Sequence, residues 1–190
     1  NGRGGYASGT VAGANTRRYH ALLLIARHPP VDRVVLVNHV EEFVESGGRT
    51  FPQSTNLYHD AVHPEGYQYC EELSADPWPT WRYAGQGVRL VRELLCPQGR
   101  DLVILRWRLL DDAASPVVLR VRPMLSGRDF HATQRENADV RSEATTEQYQ
   151  VMWHPYEGLP AVRALHNGQY HHGPNWYRHV HYRVERERGL

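Results

Sequence analysis

Apolar and polar positions alternate along most of this chain with the two-residue period of half-buried strands, and helical periodicity is scarce. The alternation predicts strands over 19–26, 34–45, 67–73, 80–84, 88–95, 101–110 and 117–124. In the last of these Val117, Leu119, Val121 and Pro123 face one way while Val118, Arg120, Arg122 and Met124 face the other. Further strands are predicted over 138–143, 148–154, 161–166 and 176–186. Turn signals punctuate them: Ser46-Gly47-Gly48, Pro97-Gln98-Gly99 and His166-Asn167-Gly168. Short strands at this spacing leave no room for crossover helices, so the pattern implies an all-β chain folded as a large antiparallel β-sandwich. Without internal repeats or a low-complexity linker, residues 1–190 read as a single domain. The longest irregular stretch in the first half is Phe51 to Glu65, a length at which ordered loops are often functional.

The densest chemistry lies at the start. Asn1 to Ala26 opens with glycines at 2, 4, 5, 9 and 13, continues as the polar block Asn15-Thr16-Arg17-Arg18-Tyr19-His20, and enters an apolar strand at Leu22 to Ile25. A dinucleotide fingerprint would need a strand before the glycines and a helix opening at them, and a phosphate loop would need Gly-Lys-Ser/Thr. Neither pattern is present. Net charge of +1, with the signs interspersed, argues against a nucleic-acid or membrane surface. All 22 basic residues are Arg, whose planar forks can grip carboxylates or hydroxyls. Cys70 and Cys96 lack metal-ligand spacing, and the longest apolar run, Ala21 to Ala26, is too short to span a bilayer. The expected location is the cytoplasm.

Aromatic and hydroxyl-binding residues recur together in Tyr58-His59-Asp60, His63-Pro64-Glu65-Gly66-Tyr67, Trp78-Pro79-Thr80-Trp81-Arg82-Tyr83 and Arg128-Asp129-Phe130-His131. A sugar offers one apolar face for stacking and a rim of hydroxyls, which this mixture suits, with Trp78 and Trp81 as the candidate platforms. Among the 12 histidines, His179 and His181 would share a strand face, yet spacing identifies no third ligand, so neither a metal nor a cofactor is expected. Glycoside hydrolysis needs two carboxylates facing each other about 5 to 9.5 Å apart. Glu41-Glu42, Glu71-Glu72 and Asp111-Asp112 would point to opposite strand faces and read as solvated edges; Asp129 is the one carboxylate in a distinctive setting.

Taken together, NGRGGYASGTVAGANTRRYHALLL, HPEGY, PTWRY, RPMLSGRDFHAT and the closing NWYRHVHYRVERERGL resemble the N-terminal domain of bacterial and archaeal glycogen debranching enzymes, across nearly the whole chain. The resemblance implies a sandwich like the N-terminal domain of glucoamylase-like enzymes, leading into a C-terminal α/α-barrel that carries amylo-α-1,6-glucosidase activity and the general acid and base. It further implies α-glucan partners such as glycogen, limit dextrin and maltooligosaccharides. On this reading the chain is a fragment of a larger protein and is an accessory domain. Asn15, Arg17, Arg18, Tyr19, His20, Asp129 and His131 are then the candidates for contacting substrate or the barrel. A structural alternative pairs Arg17 or Arg18 with Asp129 or with barrel carboxylates. A free-standing glucan-binding module and a 4-α-glucanotransferase domain are the competing functions.

Overall fold

The spine of the molecule is one long strand, Val31–Ser46, whose sequence VDRVVLVNHVEEFVES is rich in β-branched residues that pack well on a pleated surface. A computed structural model describes residues 1–189, in fourteen strands, one 3-10 turn and one short helix. In chain order the strands are β1 (Tyr6–Ser8), β2 (Ala21–His28), β3 (Val31–Ser46), β4 (Arg49–Pro52), β5 (Thr55–Leu57), β6 (Val62–Glu65) and β7 (Cys70–Ser74). They continue with β8 (Thr80–Gly85), β9 (Val88–Leu95), β10 (Ile104–Leu109), β11 (Val117–Asp129), β12 (Ala144–Glu147), β13 (Gln150–Trp153) and β14 (Val162–Leu165), and the helix α1 is Arg183–Glu187.

All the strand pairs are antiparallel, as the alternation predicts. The largest sheet runs β1-β2-β3-β11 with β4 also on β3; a second runs β10-β9-β8-β7, a third β12-β13-β14, and β5-β6 is a separate hairpin. Val44 and Phe51 of the large sheet pack on Trp81, Tyr83, Val88 and Leu90 of the second, the sandwich core proper. Toward its other end the large sheet offers Leu22, Ile25, Val34, Leu36, Val37 and Val40 to Val151, Trp153 and Val162 of the third sheet. The opposite face there is covered by Tyr6 and Phe130 over Ala21, Leu24 and Val35.

Glycines set two of the close approaches. Gly4 adopts φ of +95° with Pro30 Cα only 2.9 Å from where a Cβ would stand, and a Cβ on Gly66 would lie 2.3 Å from the Gln53 carbonyl carbon. Both are places where backbone meets backbone and a side chain has no room.

The structure departs from the predicted elements at several places. Phe51 to Glu65 is not an irregular loop: it holds the end of β4 and the β5-β6 hairpin, with Thr55 and Asn56 buried. The strand expected over 138–143 lies instead at 144–147, and 67–73 begins as the 3-10 turn Gly66–Tyr69. The strand expected over 176–186 is an extended segment ending in α1, pinned along other elements by His181 N–H to Leu57 O (2.8 Å) and Val184 N–H to Thr16 O (3.0 Å). With no strand there, the shared-face argument for His179 and His181 lapses; Leu190, the last residue of that closing motif, lies outside the described residues.

Glu41 and Glu42 do point to opposite faces, as adjacent strand residues must, but neither is a solvated edge: both are buried. Glu42 meets Arg92 (Nε to Oε1 3.1 Å) and accepts from Trp107 Nε1 (2.9 Å), and burial pushes its carboxyl up against the opposing influence of those two partners. Glu41 accepts from the Tyr177 hydroxyl and from Asn56 Nδ2 (3.5 Å). Such carboxylates are tolerated in a core because each is paired. Glu71, Glu72, Asp111 and Asp112 are exposed. Cys70 and Cys96 are free thiols.

Candidate functional site

The polar block stands immediately before β2, in a stretch without ladder hydrogen bonds of its own, so its backbone groups are satisfied by turns and side chains. The N–H of Thr16 donates to Nδ1 of His20 (3.1 Å) and the N–H of His20 to Arg17 O (3.0 Å). That leaves His20 an acceptor at Nδ1, and burial with the neighbouring Arg17 charge holds its pKa below the ordinary histidine value. Neutral imidazole is the form able to accept there.

The far end of β11 comes to the same place. Register shifts between Pro123 and Leu125 and between Leu125 and Arg128 bend the strand, and such bulges re-aim side chains. Arg128 is thereby buried, 6% exposed, and spends its donors on Arg18 O (2.6 Å), Ala132 O (3.0 Å) and Asn38 Oδ1 (3.2 Å). Burial holds its pKa below the free value. Asn38 closes the circle, since its carbonyl accepts from Asn15 Nδ2 (3.1 Å). Beyond the bulge, Asp129 Oδ1 accepts the N–H of His131 (2.8 Å), and His131 Nδ1 lies 3.1 Å from the Tyr19 hydroxyl.

Tyr19 is the centre of the cluster. Its ring packs on Phe130 (5.7 Å between centroids) and edge-on against His131 (5.6 Å), while the Arg17 and Arg18 guanidiniums lie 5.2 and 5.3 Å from its centroid. Such contacts hold cations beside an aromatic ring. Tyr6 fixes the backbone beneath by donating to Tyr19 O (2.8 Å).

Arg17 and Arg18 share an acidic partner, Glu185 of α1, at 3.6 and 3.8 Å. The structural alternative that paired Arg17 or Arg18 with Asp129 or with barrel carboxylates is corrected in its first half: Asp129 Oδ1 is turned to the His131 backbone instead. A cleft of about 230 Å³ opens beside the pair, bordered by Arg18, Thr133, His181, Tyr182, Glu185 and Arg186. Among the described residues that border it, Arg18 and Arg186 stand against the single carboxylate of Glu185, so cationic groups are in excess around it.

The structure therefore brings Asn15, Arg17, Arg18, Tyr19, His20, Asp129 and His131 together, and places Trp78 and Trp81 elsewhere, at the second sheet. Trp81 is 8% exposed, packed in the sandwich core under the Arg92 guanidinium, with Nε1 donating to Val11 O (3.0 Å). Trp78 is half-buried and donates to Glu93 Oε1 (3.1 Å). Arg128, Asn38 and Glu185 were missed by sequence reasoning. Arg128 stood inside the RDFH motif and Glu185 inside the closing NWYRHVHYRVERERGL segment; Asn38 carried no signal, because only folding brings β3 to the polar block. Among the described residues no cluster of three or more His, Cys, Asp or Glu could hold a metal ion, and no helix is long and apolar enough to cross a membrane.

Searches among curated proteins and among solved structures returned no match to this chain. Residues 1–190 match the family described as glycogen debranching enzyme N terminal, the whole length of the sequence. With the all-β architecture and the folded polar block already established, that full-length match means that the chain belongs to the glycogen debranching enzyme N-terminal family.

Proposed function

We propose that this chain is a single accessory β-sandwich domain that packs on the α/α-barrel catalytic domain of its parent enzyme and helps shape the site for α-1,6-branched α-glucans. The observation that carries the reading is the convergence of Arg17, Arg18, Tyr19, Asp129 and His131 in one cluster, from segments more than a hundred positions apart in sequence, beside a cleft that Arg18 borders. Donors held by a packed ring and by buried partners are pre-organised, and binding energy used to orient a reacting bond lowers the barrier to its cleavage.

The carboxylates present support an accessory role over a catalytic one. Glu185 is committed to two arginines, Asp129 to a backbone N–H, and Glu41 and Glu42 are buried on opposite faces of one strand. An acid and base pair for glycosidic cleavage would need to face each other across a pocket.

Kinetics of the full-length enzyme test the reading. His131→Ala and Arg17→Ala should each lower kcat/KM for a short branched α-glucan about tenfold, the worth of one positioning hydrogen bond near 1.4 kcal/mol. Unchanged kcat/KM in both would overturn it. Tight maltooligosaccharide binding by the domain without its barrel, measured by titration calorimetry, would favour a free-standing binding module. Redistribution of maltooligosaccharide lengths on a chromatogram would favour a transferase.

A further inference from the structure

A second cleft, of about 370 Å³, lies on the third sheet between the β12–β13 turn and the segment that follows β14. Its size falls in the roughly 300–1,000 Å³ range of small-ligand sites. Thr146, Gln148, Tyr149, His166, Gln169 and Tyr170 line it. Of the sequence motifs discussed above only the turn signal His166-Asn167-Gly168 touches it, and no function was attached to that turn.

The turn at its edge is built against local preference. Glu147 pairs with Gln150, so the hairpin is closed by two residues, Gln148 and Tyr149. Tyr149 takes φ of +59°, in the left-handed region where such turns favour Gly or Asn and where a bulky residue is an outlier. The ring is not turned inward to offset this, for Tyr149 is 57% exposed. Its carbonyl accepts the His166 N–H (2.9 Å), which fixes the turn to the end of β14. Backbone strain of this kind clusters at ligand clamps and other functional sites, where the surrounding structure holds it in place.

Tyr170 forms a rigid aromatic wall. Its hydroxyl accepts from Trp153 Nε1 (3.4 Å) and lies 2.9 Å from His172 Nδ1, and its ring packs on Trp153 of β13 at the edge of the core cluster (6.0 Å between centroids). His166 points Nδ1 at Gly168 O (3.1 Å), while its Nε2 is shut off from solvent without a hydrogen-bond partner. The remaining lining is neutral and polar: the exposed Gln148 and Gln169 amides, each with donors and an acceptor, and the Thr146 hydroxyl. Glu147 is the only lining carboxylate, and no Arg is among the lining residues. Phosphates and other anions therefore have no cation to meet, and an apolar ligand would bury amides without partners. Neutral polyhydroxylated rings, with one face to stack and a hydroxyl rim to bond, match both halves of the lining.

We infer that this cleft is a surface site for a linear α-glucan chain, distinct from the Arg18–Glu185 cleft, with the Tyr149 ring as its stacking platform. The choice of an α-glucan rests on membership of the glycogen debranching family and not on the accessory-domain reading. Attachment at one site raises the effective concentration of the same branched polymer at another.

The test is retention of the full-length protein in a native gel cast with glycogen, compared with a gel without it. Tyr149→Ala should weaken retention about tenfold, and Tyr149→Phe, which keeps the ring, should restore it. Tyr149→Gly should weaken retention equally while leaving the melting temperature equal or higher, because glycine suits the left-handed turn. That combination separates loss of the platform from unfolding. Unchanged retention in Tyr149→Ala overturns the inference, as does a Tyr149→Phe variant as weak as Tyr149→Ala. Retention lost with Tyr149→Ala, alongside unaltered kcat/KM in both His131→Ala and Arg17→Ala, would overturn the accessory reading alone.

Discussion

Replacing Glu185 by Gln removes the one carboxylate shared by Arg17 and Arg18, and the structure indicates which arginine the loss falls on. The two Nε to carboxylate distances are nearly equal, 3.6 and 3.8 Å, so distance alone slightly favours Arg17. Exposure decides otherwise: the side chains are 38% and 22% exposed, against 5% for Glu185. Each pair has a gross attraction of about 4 kcal/mol at an effective dielectric of ~20, largely offset by desolvating the carboxylate. Solvent screening reduces the Arg17 pair to under about 1 kcal/mol, the usual worth of an exposed ion pair, while Arg18 keeps about 2 kcal/mol. Glu185→Gln should therefore cost about 3 kcal/mol in total, since it leaves a poorly solvated guanidinium without its counter-charge. For a chain of this length that lowers the melting temperature by about 6–12 °C. A double-mutant cycle in urea, with Glu185→Gln, Arg17→Met and Arg18→Met, measures both couplings. A Glu185–Arg17 coupling equal to or larger than the Glu185–Arg18 coupling would refute the argument from burial, and so would a total loss under about 1 kcal/mol.

Other outcomes follow from buried groups elsewhere. Gly66→Ala forces a Cβ against the Gln53 backbone at 2.3 Å and should destabilise by about 3 kcal/mol in thermal unfolding, whereas Gly9→Ala, with open space around it, should be neutral. Trp107→Phe deprives the fully buried Glu42 of a hydrogen bond and should cost about 1–3 kcal/mol in the same measurement. His39 has its pKa lowered by burial from 6.5 to about 4, so between those values the unfolded chain takes up a proton that the folded chain does not. Stability is then full above the unfolded value and falls on acidification from 6.5 toward 4, by about 3 kcal/mol in all, and His39→Gln should flatten that slope in urea titrations across the window.

Much of the architecture was legible in the chain because strand alternation and glycine turns are local signals. Val88 to Leu95 was read at its exact bounds, and Ser46-Gly47-Gly48 closes the β3–β4 hairpin with both glycines at positive φ. Phe51 to Glu65 reads as irregular because Asn, His, Asp and Pro interrupt its alternation, when Gln53, Ser54, Thr55 and Asn56 are buried polar groups in and beside a hairpin. Trp81 suggested a sugar platform by composition alone, which cannot tell a ring covered by Arg92 from one open to ligand. The segment leading into α1 alternates like a strand yet pairs with no sheet among the described residues, because His181 before the helix bonds singly to β5 and Val184 within it bonds to the polar block.

The sequence by itself determined that the chain is all-β, that its polar residues concentrate in NTRRYH and RDFH, and that its motifs resemble a debranching-enzyme domain, since residue type and spacing carry that information directly. Tertiary structure alone decided that those two motifs meet at the Tyr19 ring, that Glu185 rather than Asp129 balances Arg17 and Arg18, and that Glu41 and Glu42 are core residues. The reason is physical. Pairing and burial depend on which distant segments share space, and a two-residue period says which face a side chain takes without saying what will cover it.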